Sequence, residues 1–150
     1  MAAGWAARNQ YEDTLGLYPE MALFIPLIAA MGGNVGVQSS AIIVQGLANN
    51  SLGFDSMSKK LGKEFMVAIL NGLVCSALIL VYTMIYKDNL DLAVTVSVAL
   101  VLVIIFAGLF GTIVPLTLDK YNIDPALATG PFITTMNDIV GLFIYFGIGH

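Results

Sequence analysis

The sequence predicts an all-α membrane protein, a polytopic bundle of four spanning helices that makes residues 1–150 a single transmembrane domain. Two compositional facts and one pattern carry that reading. Hydrophobic residues make up 58% of the chain and charged residues 11%, where a soluble domain carries about 25% charged. Mean hydropathy is +0.87, and ten acidic plus six basic side chains are too few to coat a water-soluble core of this length. The pattern is four charge-poor windows, each about as long as the roughly 20 residues needed to cross a bilayer, joined by short connections that make successive spans antiparallel neighbours. The expected location is a cell membrane, multi-pass, in keeping with the plasma membrane of a prokaryote.

Taken in order, residues 1–18 read as an extramembrane segment; Met1 to Arg8 is too short and too weakly apolar for a secretory signal, and a truncated beginning is expected. The first span occupies 19–47, free of charge between Glu20 and Asp55, with Pro26 expected to kink it. The stretch Ala48 to Glu64 sets Leu52, Phe54, Met57 and Leu61 among Lys59, Lys60 and Lys63, the pattern of an interfacial turn or short helix. The second span covers 65–86, between Glu64 and Lys87. The third covers 92–118, between Asp91 and Asp119, with Pro115 as a second kink and Gly108, Gly111 and Thr112 as a small packing face. The fourth covers 125–149 and opens on Asp124-Pro125, a capping residue followed by proline at the first helical position. Pro131, one turn further, is expected to loosen that helix and free a carbonyl below Asp138.

Half of the six basic residues lie between Ala48 and Glu64, which puts that connection on the cytoplasmic side, together with Lys120 after the third span. Tyr18 to Glu20, Lys87 to Asp91 and His150 then face outward. Four spans place both ends outside; one further leading span would place the N-terminus in the cytoplasm.

Composition also excludes functions. The net charge of −4 and the scarcity of Lys and Arg leave no clustered basic surface for nucleic acid. Cys75 stands alone, so an intrachain disulfide and a cysteine-based metal cluster are both impossible. An intramembrane aspartyl protease needs two carboxylates per site and a Ser-His mechanism needs a histidine within the bundle, so no enzyme activity is expected.

What remains is a set of polar groups at membrane depth. The run Met31-Gly32-Gly33-Asn34-Val35-Gly36-Val37-Gln38-Ser39-Ser40 is too polar to face lipid. At about 100° per residue, Asn34, Gln38 and Gln45 share one helix face, with Gly32, Gly36 and Ser40 in a small-residue row beside it. That row alone is ordinary helix packing. Glycine carbonyls exposed to a water-filled path are the sharper reading. In the fourth span Gly130, Thr134 and Asp138 repeat at i, i+4 and i+8, continued by Gly141 and Tyr145.

Asp138 decides between the two readings. A carboxylate at the middle of a spanning helix costs about 2.5–3.5 kcal/mol to insert and marks ion or proton pathways by default. The plain alternative is a protonated Asp bonded to Asn137 or Asn71. At about 1.5 Å per residue, Asp138 lies about 17 Å, and Asn34 about 20 Å, from the outer ends of their spans, both near the midplane. A carboxylate, amide oxygens and glycine carbonyls are hard ligands that suit Mg²⁺ or Ca²⁺, and Mg²⁺ sheds water reluctantly, so a hydrated ion contacted through its waters is the simplest cargo. In a symmetric dimer two copies of Asp138 would meet, and their repulsion would favour a divalent cation between them or a proton on one of them. A proton-coupled carrier that uses Asp138 as its protonation site is the alternative function.

Two blocks of sequence resemble the MgtE family of Mg²⁺ channels and transporters. Leu23-Phe24-Ile25-Pro26-Leu27-Ile28, with Met31-Gly32-Gly33-Asn34 and Gly36 to Ser40, is similar to that family's second transmembrane helix. Asp124-Pro125-Ala126-Leu127-Ala128, Gly130-Pro131-Phe132, Thr134-Thr135, Asp138, Gly141-Leu142 and Tyr145-Phe146 are similar to its fifth. The resemblance covers Tyr11 to Gly149, with the second and third spans matching in hydropathy alone.

It implies a homodimer of five-helix subunits with a pore at the dimer axis, in which Asp138 is the pore carboxylate for Mg²⁺. Gly32, Gly33, Asn34, Gly36, Gly130 and Thr134 are the implied contacts of the hydrated ion, with Gln38 and Asn137 as secondary polar lining. Two departures accompany it: most or all of the family's first helix, and the cytoplasmic sensor domains that many members carry, are expected to be missing from this sequence. Gly130 also stands where many members carry asparagine, so no side-chain contact is expected from it. The expected partners are a second copy of the chain, the lipid bilayer and divalent cations.

Overall fold

The computed structural model describes residues 19–50, 54–86, 89–128 and 130–149, which are helix and turn with no strand among them. The segment expected at 1–18, together with Lys87 and His150, lies outside the described residues.

Four helices form the bundle: α1 (Ile25–Ala48), α2 (Phe54–Tyr86), α3 (Leu90–Lys120) and α4 (Pro131–Ile148). Short 3₁₀ segments, Pro19–Phe24 and Pro125–Ala128, lead into α1 and α4. Each helix, counted with its 3₁₀ lead where one is present, is long and apolar enough to cross a membrane.

The element boundaries differ from the sequence expectation in three places, each for a local reason. Pro26 does not kink a helix, because it stands at the start of α1, where its missing N–H has no partner to lose. The stretch before Phe65 is no separate interfacial element. It is the opening of α2, which runs without a break from Phe54 through the three lysines, and at about 1.5 Å per residue reaches about 50 Å, well beyond a hydrocarbon core. Lys, Glu, Leu and Met are good helix formers, and Gly62 alone is too mild a breaker to interrupt them. The fourth span is split: its first turn is 3₁₀, capped by a bond from the Ala126 N–H to Asp124 Oδ1 at 2.9 Å, and α4 starts afresh at Pro131.

The third helix is the hub. Asn89 caps it by accepting the Leu92 N–H at 3.1 Å, Asp91 sits in its positive first turn and Lys120 in its negative last turn. Its buried residues, including Val96, Leu100, Val103, Ile104 and Ala107, go round most of the helix, because α1, α2 and α4 all pack on it. Lipid supplies no hydrophobic drive for helix association, so close van der Waals approach has to do that work. The glycines permit it. A Cβ on Gly72 of α2 would stand 3.4 Å from the Cα of Val101, one on Gly108 of α3 would stand 3.3 Å from the Cβ of Ala68, and Gly111 lies directly on the backbone of Gly36. The opposite face of α2, with Met66, Leu70, Leu73, Leu78 and Ile85, is exposed and apolar, as a lipid-facing surface must be.

Candidate functional site

The site is built where α4 lies against α1, and the split in the fourth span sets where α4 begins. Gly130 has φ 61° and ψ −126°, a backbone conformation that side chains strongly disfavour, and Pro131 follows at the first helical position. The carbonyl of Gly130 accepts the Thr134 N–H at 3.1 Å, and the Thr134 hydroxyl donates to the carbonyls of Gly130 (3.2 Å) and Pro131 (3.1 Å). The Ala128 carbonyl, which a continuous helix would have paired with a main-chain N–H, accepts the buried Ser40 hydroxyl of α1 at 2.7 Å. At the other end of α4 the buried Tyr145 hydroxyl donates to the Met21 carbonyl at 2.9 Å. Two long-range hydrogen bonds therefore pin α4 to the first span, one near each end.

Between those pins, glycines bring the helices together. A Cβ on Gly33 would meet Asp138 Oδ1 at 3.4 Å and Thr134 Cγ2 at 3.5 Å, so the Asp138 carboxylate and the Thr134 side chain both rest on the backbone of α1. Asp138 and Thr134 are half-buried. Further along α1 from Gly33, Asn34, Gln38 and Gln45 are exposed along one ridge, and Gln38 and Gln45 border an open groove with Ala41, Ile42 and Ala48.

The remaining predicted site residues are elsewhere. Gly32 faces Val103 and Asn137, and Gly36 faces Asn137 and Ile133 with its carbonyl oxygen toward Gly111. Both are buried inside the chain, as is Ser40. The small-residue row Gly32, Gly36, Ser40 is thus filled by α3, α4 and the turn before α4, and Gly141 packs on Val103. Gly130 is half-buried, and no atom would meet a Cβ placed on it within 4 Å. Asn137, expected as secondary lining, is fully buried against Gly36, with no hydrogen-bond partner for either amide atom.

Asp138 is also not held in the plain structural way. Asn137 points away into the packing, while Asn71 is exposed on α2, which packs chiefly on α3. Among the described residues no ion pair reaches Asp138, and no three His, Cys, Asp or Glu side chains converge on one point. The carboxylate therefore stands alone, half-buried against the backbone of α1 within a span long and apolar enough to cross a membrane. That arrangement can attract a cation without enclosing it.

Among the polar contacts that sequence reasoning missed, one joins α1 to α2. Glu64, taken as the charge that bounds the second span, is half-buried and accepts the Ser39 hydroxyl at 2.5 Å, joining α1 to α2 about 9 Å along α1 from Gly33. The only hint was Ser39 inside the polar run, and nothing in one helix reveals which neighbour supplies its partner.

Comparison with known proteins bears on the same segments. The family model for MgtE, a divalent cation transporter, matches residues 25–148. The chain is 40% identical over 140 residues to the magnesium transporter MgtE of Bacillus subtilis, and 33% identical over 140 residues to that of Enterococcus faecalis. With the magnesium transporter MgtE of Thermus thermophilus it shares 34% identity over 141 residues. Each alignment takes in 93% of this chain and 31% of the relative, so the chain spans about a third of the length of these proteins.

Proposed function

The chain belongs to the MgtE family of divalent cation transporters, and from that membership we propose that it forms the membrane path of a Mg²⁺ transporter, with Asp138 as the ion's charge partner. The observation that carries the proposal is the Asp138 carboxylate set on Gly33, lacking a cationic partner among the described residues, on a helix whose exposed ridge carries the amides of Asn34 and Gln38. An uncompensated carboxylate at this depth costs about 2.5–3.5 kcal/mol, and a passing cation supplies the missing charge.

The residues suit a hydrated ion. Waters bound to Mg²⁺ donate hydrogen bonds, so the path must offer acceptors, and Mg²⁺ keeps most of its waters. Asp138 supplies the carboxylate oxygens, Asn34 and Gln38 supply amide oxygens, and Thr134, whose proton is engaged by the carbonyls of Gly130 and Pro131, keeps oxygen lone pairs free. Gly33 and Gly130 act through backbone and shape. Gly32 and Gly36 act by letting α3 and α4 approach α1.

The polar ridge of α1 is open on the outside of the chain. A second copy related by a two-fold axis along that ridge would enclose the path and bring two Asp138 carboxylates to face one ion. Replacing Asp138 with Asn keeps volume and hydrogen-bonding capacity and removes the charge. In membrane-reconstituted protein, Asp138→Asn is expected to abolish Mg²⁺ uptake while leaving expression and assembly close to wild type. Uptake at the wild-type rate would overturn the assignment. Uptake that runs only with a proton gradient would instead favour a carrier that protonates Asp138.

A further inference from the structure

We infer that Asn137 and Gly36 act as an interlocking pair that fixes the register of α4 on α1, and that this register holds the Asp138 carboxylate on Gly33; the inference rests on the role proposed for Asp138. The fit between the two residues is unusually close. A Cβ on Gly36 would fall on the Asn137 amide nitrogen, with Ile133 Cγ2 at 2.9 Å and Asn137 Cγ at 3.1 Å, so the amide occupies the volume that any side chain at 36 would need. Asn137 also lies against Gly32, where a Cβ would meet Val103 Cγ1 at 2.9 Å, the Asn137 main-chain carbonyl oxygen at 3.7 Å and its Cβ at 3.9 Å. One residue therefore spans two successive turns of α1, its backbone and Cβ at Gly32 and its amide at Gly36, one position before Asp138.

The chemistry of this contact is unusual as well. Asn137 is fully buried and both amide atoms lack a hydrogen-bond partner, whereas buried polar groups are nearly always paired. With no hydrogen bond to make within the chain, what the amide contributes at that position is its shape. It is flat, short and stiff enough to lie on a glycine, and turned by half a rotation about its last bond it presents oxygen to the Gly36 Cα–H as a weak hydrogen bond. A flexible apolar residue of similar size would fill the space without specifying one rotation of α4. Because side chains on a helix are offset by about 100° per residue, any slip or turn of α4 that releases Asn137 also carries Asp138 off Gly33. Asn137 is thus a positioning residue and Asp138 the group that meets the ion.

The register can be measured apart from transport. A Cβ on Gly33 would lie 3.9 Å from the Thr134 Cβ, within the range a disulfide bridges. In a Cys75→Ser background, the pair Gly33→Cys and Thr134→Cys should cross-link readily in membranes under mild oxidant, read by mass spectrometry of the linked peptides. Adding Gly36→Ala is expected to slow the cross-link by about tenfold, and adding Asn137→Ala to that variant to bring it back within about threefold of the parent. Asn137→Gln, one methylene too long for the gap, should slow it with Gly36 untouched, which keeps the test decisive if Gly36→Ala fails to fold. In protein without the introduced cysteines, Mg²⁺ uptake per folded molecule should fall with Gly36→Ala and recover in the double variant.

An unchanged cross-linking rate in Gly36→Ala, or no recovery on adding Asn137→Ala, would overturn the interlock. Recovery of the cross-link without recovery of uptake would overturn its positioning role. Wild-type uptake in Asp138→Asn with the interlock intact would overturn the reading of Asp138 alone.

Discussion

Asp138 and Asn137 are adjacent in sequence and opposite in environment. The carboxylate is half-exposed on the backbone of Gly33, and the amide is sealed against Gly36. The difference follows from helix geometry, since a step of about 100° takes one side chain from the edge of the α1–α4 contact into its centre. It also sets how the acidic position tolerates change. Asp138→Glu keeps the charge and moves it about one bond further from α4, into a space sized for an ion with its waters. Transport by that variant should fall between wild type and Asp138→Asn, measured as initial Mg²⁺ uptake into proteoliposomes; a rate equal to that of Asn would mean that position matters as much as charge.

The fourth span works as two pieces, and its break is held by backbone chemistry. Gly130 adopts φ 61° and ψ −126°, so a Cβ there is strained even though the space around it is open. Gly130→Ala should cost about 1–2 kcal/mol, seen as a lower unfolding midpoint of the detergent-solubilised protein; an unchanged midpoint would show that the break relaxes freely. The far end of the same element is fixed by one hydroxyl. Tyr145→Phe removes the bond to the Met21 carbonyl and leaves that buried acceptor unpaired, a loss of about 1–3 kcal/mol in the same assay. Tyr145 is buried away from the proposed ion, so Tyr145→Phe should retain the cation preference of the wild type where it still folds.

The molecule as a whole has two kinds of exposed surface. The outer face of α2 beyond Glu64 is mostly apolar, with Met66, Leu70, Leu73, Leu78 and Ile85, while the free ridge of α1 carries Asn34, Gln38 and Gln45. Lipid satisfies the first and cannot satisfy the second, so the ridge is where a second copy is expected. A single cysteine at Gln45 should give a disulfide-linked dimer in membranes, and one at Leu73 on the apolar face should not; equal cross-linking at both would remove the axial path. The orientation expected from Lys59, Lys60 and Lys63 is checked on the same scale. Cysteines at Lys60 and Asp119 should be labelled from the cytoplasm and one at Leu90 from outside, with the reverse pattern overturning it.

The order and class of the elements follow from sequence alone, because membrane insertion sums over composition: some 20 apolar residues without charge make a span wherever their partners lie. Asp138 stood out for the same reason, since its cost depends on depth along its own helix. The pattern within one helix also grouped Asn34 with Gln38 and Gln45, and Gly32 with Gly36 and Ser40. Only the packed bundle decided which neighbour each group meets. A row of small residues suits a helix of its own chain as well as one from another copy, and here α3 and α4 fill it. In the same way only tertiary structure buried Asn137, set Glu64 on Ser39 and cut the fourth span at Gly130. Periodicity fixes the angle between side chains on one helix, whereas contact depends on how that helix is turned and shifted against its neighbours, and that is settled by the whole set of close approaches at once.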